Sequence, residues 1–347
     1  MATGSDLIMM DPTNTEKIPY NTCTTWEITG NLSFNSWSGS AIINCSGNGL
    51  NFEGNSTTLE FQGLTLLDTF LRVYDASLTI NKCSFGSFIQ NAAFLYPIHV
   101  SVNNPLENVR IYIANTNFFD NNTVGALNVV NHQSAKVFVE VRNITVANSY
   151  LEKANYIIFF QGYVDFSFMN SEISNTKFSE NISNPSLIYF YGCPVANKRE
   201  DGTSNSRLSR KLSQHGRLGD KGQGSSVFEE DPTTISFSIK GLNFSCNHAG
   251  IVETLFCTRG NVSITNTTAL HNTNRWTLGG CVVIDTRYNI GRLDVLLENS
   301  SFVSNTNEGT GPMVSVVSLN ITFLLQIARS LTTRVGQSMS QHREVVR

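Results

Sequence analysis

The sequence predicts an all-β solenoid, a chain that winds through short strands joined by tight turns. Three observations carry that expectation. Apolar residues recur at period two over three to five residues, turn chemistry interrupts them every five to nine residues, and almost nowhere do apolar residues keep the 3.6 spacing of a helix for three turns. The rhythm is clearest over 50–80, where apolar pairs fall at Leu50/Phe52, Leu59/Phe61, Leu64/Leu66, Leu71/Val73 and Leu78/Ile80. Each pair reads as a short strand with one buried face. Three such strands make a unit of roughly 20–25 residues, the length of one solenoid coil.

The same texture continues through Val100–Ile113, Val137–Val146, Tyr156–Phe168, Ile235–Ile251, Val262–Leu270, Cys281–Ile284 and Leu293–Phe302. Two segments break it. Residues 197–226 hold seven of the 24 Lys and Arg residues and almost no apolar ones, and they read as a solvated, disordered basic insertion. The tail loses the strand rhythm and reads as a cap or a frayed end. The expected organisation is therefore an N-terminal segment or cap at 1–26, a coil domain at 27–325 interrupted by the insertion, and a tail at 326–347.

Composition narrows the function classes. The chain has 347 residues, 40% of them apolar and only 15% charged, where about 25% charge is usual for a globular domain. That balance argues against disorder. A net charge of −3 and a pI near 6.1 leave no basic footprint for nucleic acid. The polar surface is built from 39 Asn and 69 Ser plus Thr, residues that compete for local backbone bonds and favour turns. The most apolar stretch, 313–328, is too short and polar to span a bilayer. The N-terminal LIMM, between Asp6 and Asp11, is too short for the core of a secretory leader.

Eleven Asn-x-Ser/Thr sequons stand at Asn31, Asn44, Asn55, Asn121, Asn143, Asn181, Asn243, Asn261, Asn266, Asn299 and Asn320. Chance would give about 8 for this composition. The seven cysteines (23, 45, 83, 193, 246, 257, 281) form no CxxC pair, which argues against a zinc cluster. Two readings of them stay open: up to three disulfides with one thiol over, or seven buried apolar side chains.

A local rule repeats within the coil texture. Phe-x-x-Asn occurs at Phe52–Asn55, Phe88–Asn91, Phe118–Asn121, Phe178–Asn181, Phe244–Asn247 and Phe302–Asn305, and Ala269–Asn272 has lost the aromatic. In NTNFFDN (115–121), NTKFSEN (175–181), NTTALHN (266–272) and NSSFVSN (299–305) a second asparagine opens the frame six residues earlier. A small-plus-aliphatic step often follows, as in Gly125–Leu127, Ala249–Val252, Gly279–Val283 and Gly311–Val314. In a stack of coils the Phe is expected to point inward onto the Phe of the next coil, burying about 150–250 Å². The framing asparagines are expected at coil corners, where Asn tolerates a left-handed backbone.

This combination resembles the Phe-x-x-Asn and Gly-Gly-Ala-aliphatic repeats of the polymorphic outer membrane protein family. Those repeats form a single-stranded right-handed parallel β-helix of the pectin-lyase-like superfamily, and the resemblance covers roughly 27–325 apart from the insertion. The segment SGSAIINCSGNGLNFEGNSTTLEFQGLTL also looks like the first coils of β-helix proteins of eukaryotic surfaces. The chain departs from the bacterial family in its irregular repeats and in having no autotransporter barrel after them. The resemblance implies an extracellular or cell-surface protein whose partners are glycans or surface proteins.

Chemistry is sparsely written. Glycosidic hydrolysis requires two carboxylates about 5–10 Å apart, and the best local candidates are Asp285 and Asp294 in DTRYNIGRLD, beside Arg287 and Arg292. The signatures of polygalacturonases and pectate lyases are missing. Glu229, Glu230 and Asp231 close the insertion, and His248 and His271 fall near coil corners, where an exposed polar role is the default. No cofactor or metal is expected. The sequence thus points to a non-enzymatic surface β-helix used in adhesion or glycan or protein binding. The alternatives are a polysaccharide lyase or glycosidase of the same fold, and a structural fragment of a larger surface protein with no site of its own.

Overall fold

The computed structural model describes residues 6–9, 23, 25–36, 39, 41–88, 95–104, 109–119, 124–133, 135–193, 234–257, 259–274, 281–286, 293–308, 314–317 and 321–326. The expected insertion at 197–226, the acidic cluster Glu229–Asp231 and the tail beyond Gln326 lie outside them.

Among the described residues the chain is all-β, with no helix, and every strand pairing is parallel. The strands form a nineteen-stranded sheet, a nine-stranded sheet and two strand pairs. The larger sheet consists of two ladders, joined because Gly49–Gln62 and Phe70–Asn81 run through both, with a register shift between Glu53 and Thr57. From residue 25 onward the chain visits the ladders in turn. One such pass runs Leu127–Asn131 in the first ladder, Val137–Arg142 in the second and Thr145–Ala147 in the third. The next pass lays Tyr156–Gln161, Val164–Met169 and Glu172–Ser174 on top, in register.

Alternating burial shows why these sequences make these strands. All ten apolar residues of the five pairs over 50–80 are buried. Like residues stack on like along the ladders. In the first ladder one inward column reads Leu50, Leu71, Ile98, Leu127, Ile158, Ile188, Val252 and Val282, each opposite the next. Every member is at most 4% exposed, and burying such a side chain contributes about 1.5–3 kcal/mol. Phenylalanines join the first and second ladders inside: Phe160–Phe166 ring centroids lie 4.2 Å apart, Phe166–Phe237 5.4 Å and Phe190–Phe237 5.3 Å.

The turn between the second and third ladders is made by one left-handed residue per pass. Gly63, Lys82, Asn115, Asn143, Asn170, Gly241, Asn266 and Asn299 all have φ between +44° and +68°. Each of the first seven donates its backbone N–H to the strand end of the next pass, as Asn115 does to Arg142 at 3.1 Å and Asn266 to Glu298 at 3.0 Å. Asparagine recurs here because its short polar side chain makes the left-handed region accessible. The residue after the corner is often a buried hydroxyl satisfied by the carbonyl two residues back, as in Thr116 to Ala114 (2.8 Å) and Ser300 to Glu298 (2.9 Å).

The repeat has a different phase from the one expected. The third-ladder interior column reads Ile43, Leu66, Phe85, Phe118, Val146, Ile173, Phe244, Ala269 and Phe302. Phe118, Phe244 and Phe302 therefore occupy one slot, but Phe85 rather than Phe88 lies opposite Phe118, with ring centroids 5.4 Å apart. Phe52 belongs to the first ladder, opposite Val73. Phe178 lies past the third ladder, opposite Leu151, and is half-buried. The expected Phe-on-Phe column is thus a mixed aromatic and aliphatic one.

The closing asparagines differ too. Asn247, Asn272 and Asn305 are buried, at 0%, 0% and 3% exposure, and do not face the turns. The left-handed corner residue is the one before each: Cys246, His271 and Ser304. Having turned there, the chain points the next side chain inward, where the carboxamides hydrogen-bond in file. Asn247 Nδ2 donates to Asn272 Oδ1 (2.9 Å), and Asn272 Nδ2 donates to Asn305 Oδ1 (2.8 Å). The same nitrogens also donate to Ile173 O, Phe244 O and, from Asn305, Ala269 O. Asn181 is exposed, the side chain of Asn55 and all of Asn91 and Asn121 lie outside the described residues, and Phe88 is buried.

The cysteines fall between the two readings. Cys23–Cys45 and Cys193–Cys257 are disulfides. Cys83 and Cys281 are buried outside those bridges, their thiols pushed up to about 11 and about 12 by burial, and Cys246 is exposed. Cys193 and Cys257 follow Gly192 and Phe256, which are opposite each other in the first ladder, so the bridge ties consecutive passes across 64 residues of chain.

Two stability measurements test this arrangement. Asn272→Ala strands the Asn247 and Asn305 carboxamides in the interior and is expected to cost about 2–4 kcal/mol in urea unfolding, whereas Asn117→Ala, at an exposed strand position, costs under about 1 kcal/mol. Equal costs would mean that the file of carboxamides adds nothing. Replacing Cys193 and Cys257 by Ser is expected to lower stability by about 2–4 kcal/mol, read as a lower midpoint of thermal unfolding.

Candidate functional site

Side chains that alternate outward from the first ladder form rows along the stack. One row reads Asn51, Arg72, His99, Asn128, Phe159, Tyr189, Glu253 and Val283, each opposite the next. The adjacent row reads Glu53, Tyr74, Ser101, Val130, Gln161, Tyr191, Leu255 and Asp285. Outward strand positions are ordinarily polar, so aromatics here call for a cause.

The aromatic group is built by two strands whose outward faces are nearly as apolar as their inward ones, YIIFFQ at 156–161 and SLIYFYG at 186–192. Tyr156 and Tyr189 stack with centroids 4.4 Å apart and 18° between planes, and Phe159 and Tyr189 lie 5.8 Å apart at 8°. All three are half-buried. Gly125 allows this packing from beneath: a Cβ there would sit 2.5 Å from Tyr156 O and from the Tyr96 ring. Burial raises the phenols of Tyr156 and Tyr96 well above the ordinary tyrosine range, and neighbouring Tyr189 and Glu253 push Tyr156 further.

A polar stretch adjoins the aromatics. The Arg72 guanidinium lies 5.4 Å from the Tyr74 ring centroid, and the Tyr74 ring lies 6.2 Å from that of His99. Burial, then the charges of Arg72 and His132, bring the His99 imidazole down to about 4, so it is neutral at pH 7. Asn128, opposite both His99 and Phe159, has a buried Oδ1 with no hydrogen-bond partner. An acceptor left in that state costs about 1–3 kcal/mol. That oxygen is shut off from solvent, so it is the half-buried aromatic face beside it that a partner can reach.

The second ladder carries a lesser outward group. Arg110 lies 6.0 Å from the Phe138 ring centroid and Arg142 4.9 Å from that of Tyr112, while Lys136 pairs with Asp165 at 3.3 Å. Phe138 is 40% exposed.

The expected acids are on two different ladders. Asp285 ends the outward row of the first, after Tyr191 and Leu255, and Asp294 faces out from the second, opposite Asn261. Arg287 and Arg292 lie outside the described residues, as does Asn320. No group of three or more His, Cys, Asp or Glu arranged to hold a metal occurs among the described residues. His271 holds a left-handed corner and is exposed, and His248 is half-buried. Sequence reasoning missed Tyr156, Phe159, Tyr189, His99 and Asn128. The available signal was a strand apolar on both faces, repeated about 30 residues later as YIIFF and LIYFY.

The class defined so far is an all-β protein of stacked parallel strands with an outward aromatic and polar row. Compared with known proteins, the chain matches no family model, no curated protein and no solved structure.

His99 sets a pH dependence. Its folded value of about 4 lies below the usual 6.5, so its contribution is intact above pH 6.5 and is lost as pH falls toward 4. The expected loss is on the order of 2–3 kcal/mol. Unfolding free energies measured from pH 7 to pH 4 should fall less steeply in His99→Asn than in the parent; parallel curves would remove His99 as the cause.

Proposed function

We propose that this chain is a single-stranded right-handed parallel β-helix of the extracellular or cell-surface kind, without catalytic activity, that binds a glycan or protein partner along the outward face of its first ladder. The observation that carries the reading is the half-buried stack of Tyr156, Phe159 and Tyr189 on the outward face of the first ladder. The fold half rests on passes that visit three parallel ladders in constant order, with about 21–32 residues between most stacked positions, the length of one coil. The extracellular half is supported by the two disulfides, which persist in oxidising compartments. Handedness follows the resemblance to the Phe-x-x-Asn repeat family.

An enzyme of the same architecture is the second reading, favoured by the position of Asp285 on the same outward face. Screening the chain on an array of glycans and surface proteins, together with a polysaccharide depolymerisation assay, separates the two. Binding without a fall in polymer viscosity is expected, and Tyr189→Ala is expected to weaken that binding about tenfold. Cleavage that vanishes in Asp285→Ala and Asp294→Ala would overturn the binding reading. Silence in both assays would favour a structural segment without a site of its own.

A further inference from the structure

Charge on the outward face of the first ladder is confined to its two ends. The two rows that begin at Asn51 and Glu53 hold four charged residues, Glu53, Arg72, Glu253 and Asp285, and the His99 imidazole is neutral at pH 7. All four stand in the first two or the last two of the eight passes that build these rows. The middle passes carry no charge there and present instead half-buried Val130, Phe159, Tyr189 and Tyr191, with Tyr156 beside them. Leu95, 45% exposed, extends this apolar centre: its carbonyl accepts the N–H of Gly125, the residue packed under Tyr156.

An aromatic centre with charge only at its ends is composed as protein–protein interfaces are, charged residues being depleted from the core and Tyr and Phe enriched there. The extent agrees. Eight strands about 4.8 Å apart, mostly five to seven residues long, cover roughly 700 Å², close to the ~800 Å² that each partner gives to a standard interface.

The end charges also select the partner. Arg72 is second in its row and Glu253 second from the other end, so the two lie equally far from the middle, between Asn128 and Phe159. A half-turn about an axis in the contact plane, parallel to the strands and through that middle, lays the row on its own reverse. Arg72 then meets Glu253, His99 meets Tyr189 and Asn128 meets Phe159, each contact made twice, as an isologous pair requires.

We propose that the first-ladder face is a homodimer interface, in which a second copy of this chain packs antiparallel on the Tyr156, Phe159 and Tyr189 centre and is held in register by two Arg72–Glu253 pairs. The homodimer rests on the reading of this face as a binding surface and gives that surface its partner. Sliding by one pass would set Arg72 against Tyr189 or Val283, so the charges fix the register. The same half-turn brings exposed Glu53 toward Asp285 at the rim, where salt screens the repulsion.

The test is sedimentation of the full chain at micromolar concentrations, with Arg72→Glu, Glu253→Arg and Tyr189→Ala beside the parent. The parent is expected to be dimeric. Each charge reversal alone sets like charges together twice and is expected to weaken dimerisation about a hundredfold, and Tyr189→Ala about tenfold. An equimolar mixture of Arg72→Glu and Glu253→Arg is expected to restore the dimer, since every end pair is again opposite in sign; misfolded variants cannot do this. A monomeric parent, a dimer that tolerates both reversals, or a mixture that stays monomeric overturns the homodimer. With a monomeric parent, Tyr189-dependent capture on the array of glycans and surface proteins leaves the binding reading of the face standing, and silence there removes that reading too.

Discussion

Register between successive passes is the constraint on which the rest of the structure depends. Third-ladder strands are three or four residues long, and their backbone donors and acceptors find partners only on the passes above and below. A slip of one residue would turn every interior side chain to solvent. The corner residues prevent that slip. A single left-handed position, held by the N–H bond it gives to the next pass, fixes where one strand ends and which side chain of the next enters the interior. Leu50 therefore stacks on Leu71, Ile158 on Ile188 and Asn272 on Asn305 without any long-range instruction beyond the corner.

The same constraint explains where polar groups are admitted to the interior. A carboxamide has as many donors as acceptor sites, so a file of them in register satisfies each member from its neighbours and from the carbonyls alongside. Asn247, Asn272 and Asn305 meet that condition, and a lone asparagine in the same place would not. Register is hardest to keep where the ladder is interrupted. The strands Ser186–Gly192 and Gly250–Phe256 are stacked neighbours far apart in the chain, and Cys193–Cys257 binds them together just past their paired ends. The disulfide thus acts where stacked strands are separated by 64 residues in the first ladder, and by 71 in the second and third, rather than by about 30.

Strand content was legible in the sequence because period-two burial leaves a direct trace, as in Leu59/Phe61 and Leu78/Ile80. The phase of the longer repeat was not. Phe88 and Phe178 carry the same letters as Phe118 yet occupy other slots, while Leu66, Val146, Ile173 and Ala269 fill the Phe118 slot with no aromatic at all. An interior column selects for apolar volume, and several residue types supply it. The inward turn of Asn305 was hidden for a related reason. Its direction is decided by the backbone of Ser304, and serine is not a residue that announces a left-handed conformation.

The outward aromatics were harder still to read, since a strand that is apolar on both faces looks the same as one buried on both. Only the pairing of YIIFF with LIYFY shows that Phe159 and Tyr189 lie on the side away from the core. Nothing in the packing of the interior requires them there, because the inward positions of both strands are already filled by Ile158, Phe160, Ile188 and Phe190. The outward ring stack recovers part of its exposure cost by self-association at 4.4 Å, while the Asn128 oxygen beside it is buried with no partner. Stability alone would favour threonine or serine at such positions. Their occupation by rings and an unsatisfied amide is an argument that this face was shaped by something it meets, with one side chain presented to that partner about every 4.8 Å along the stack.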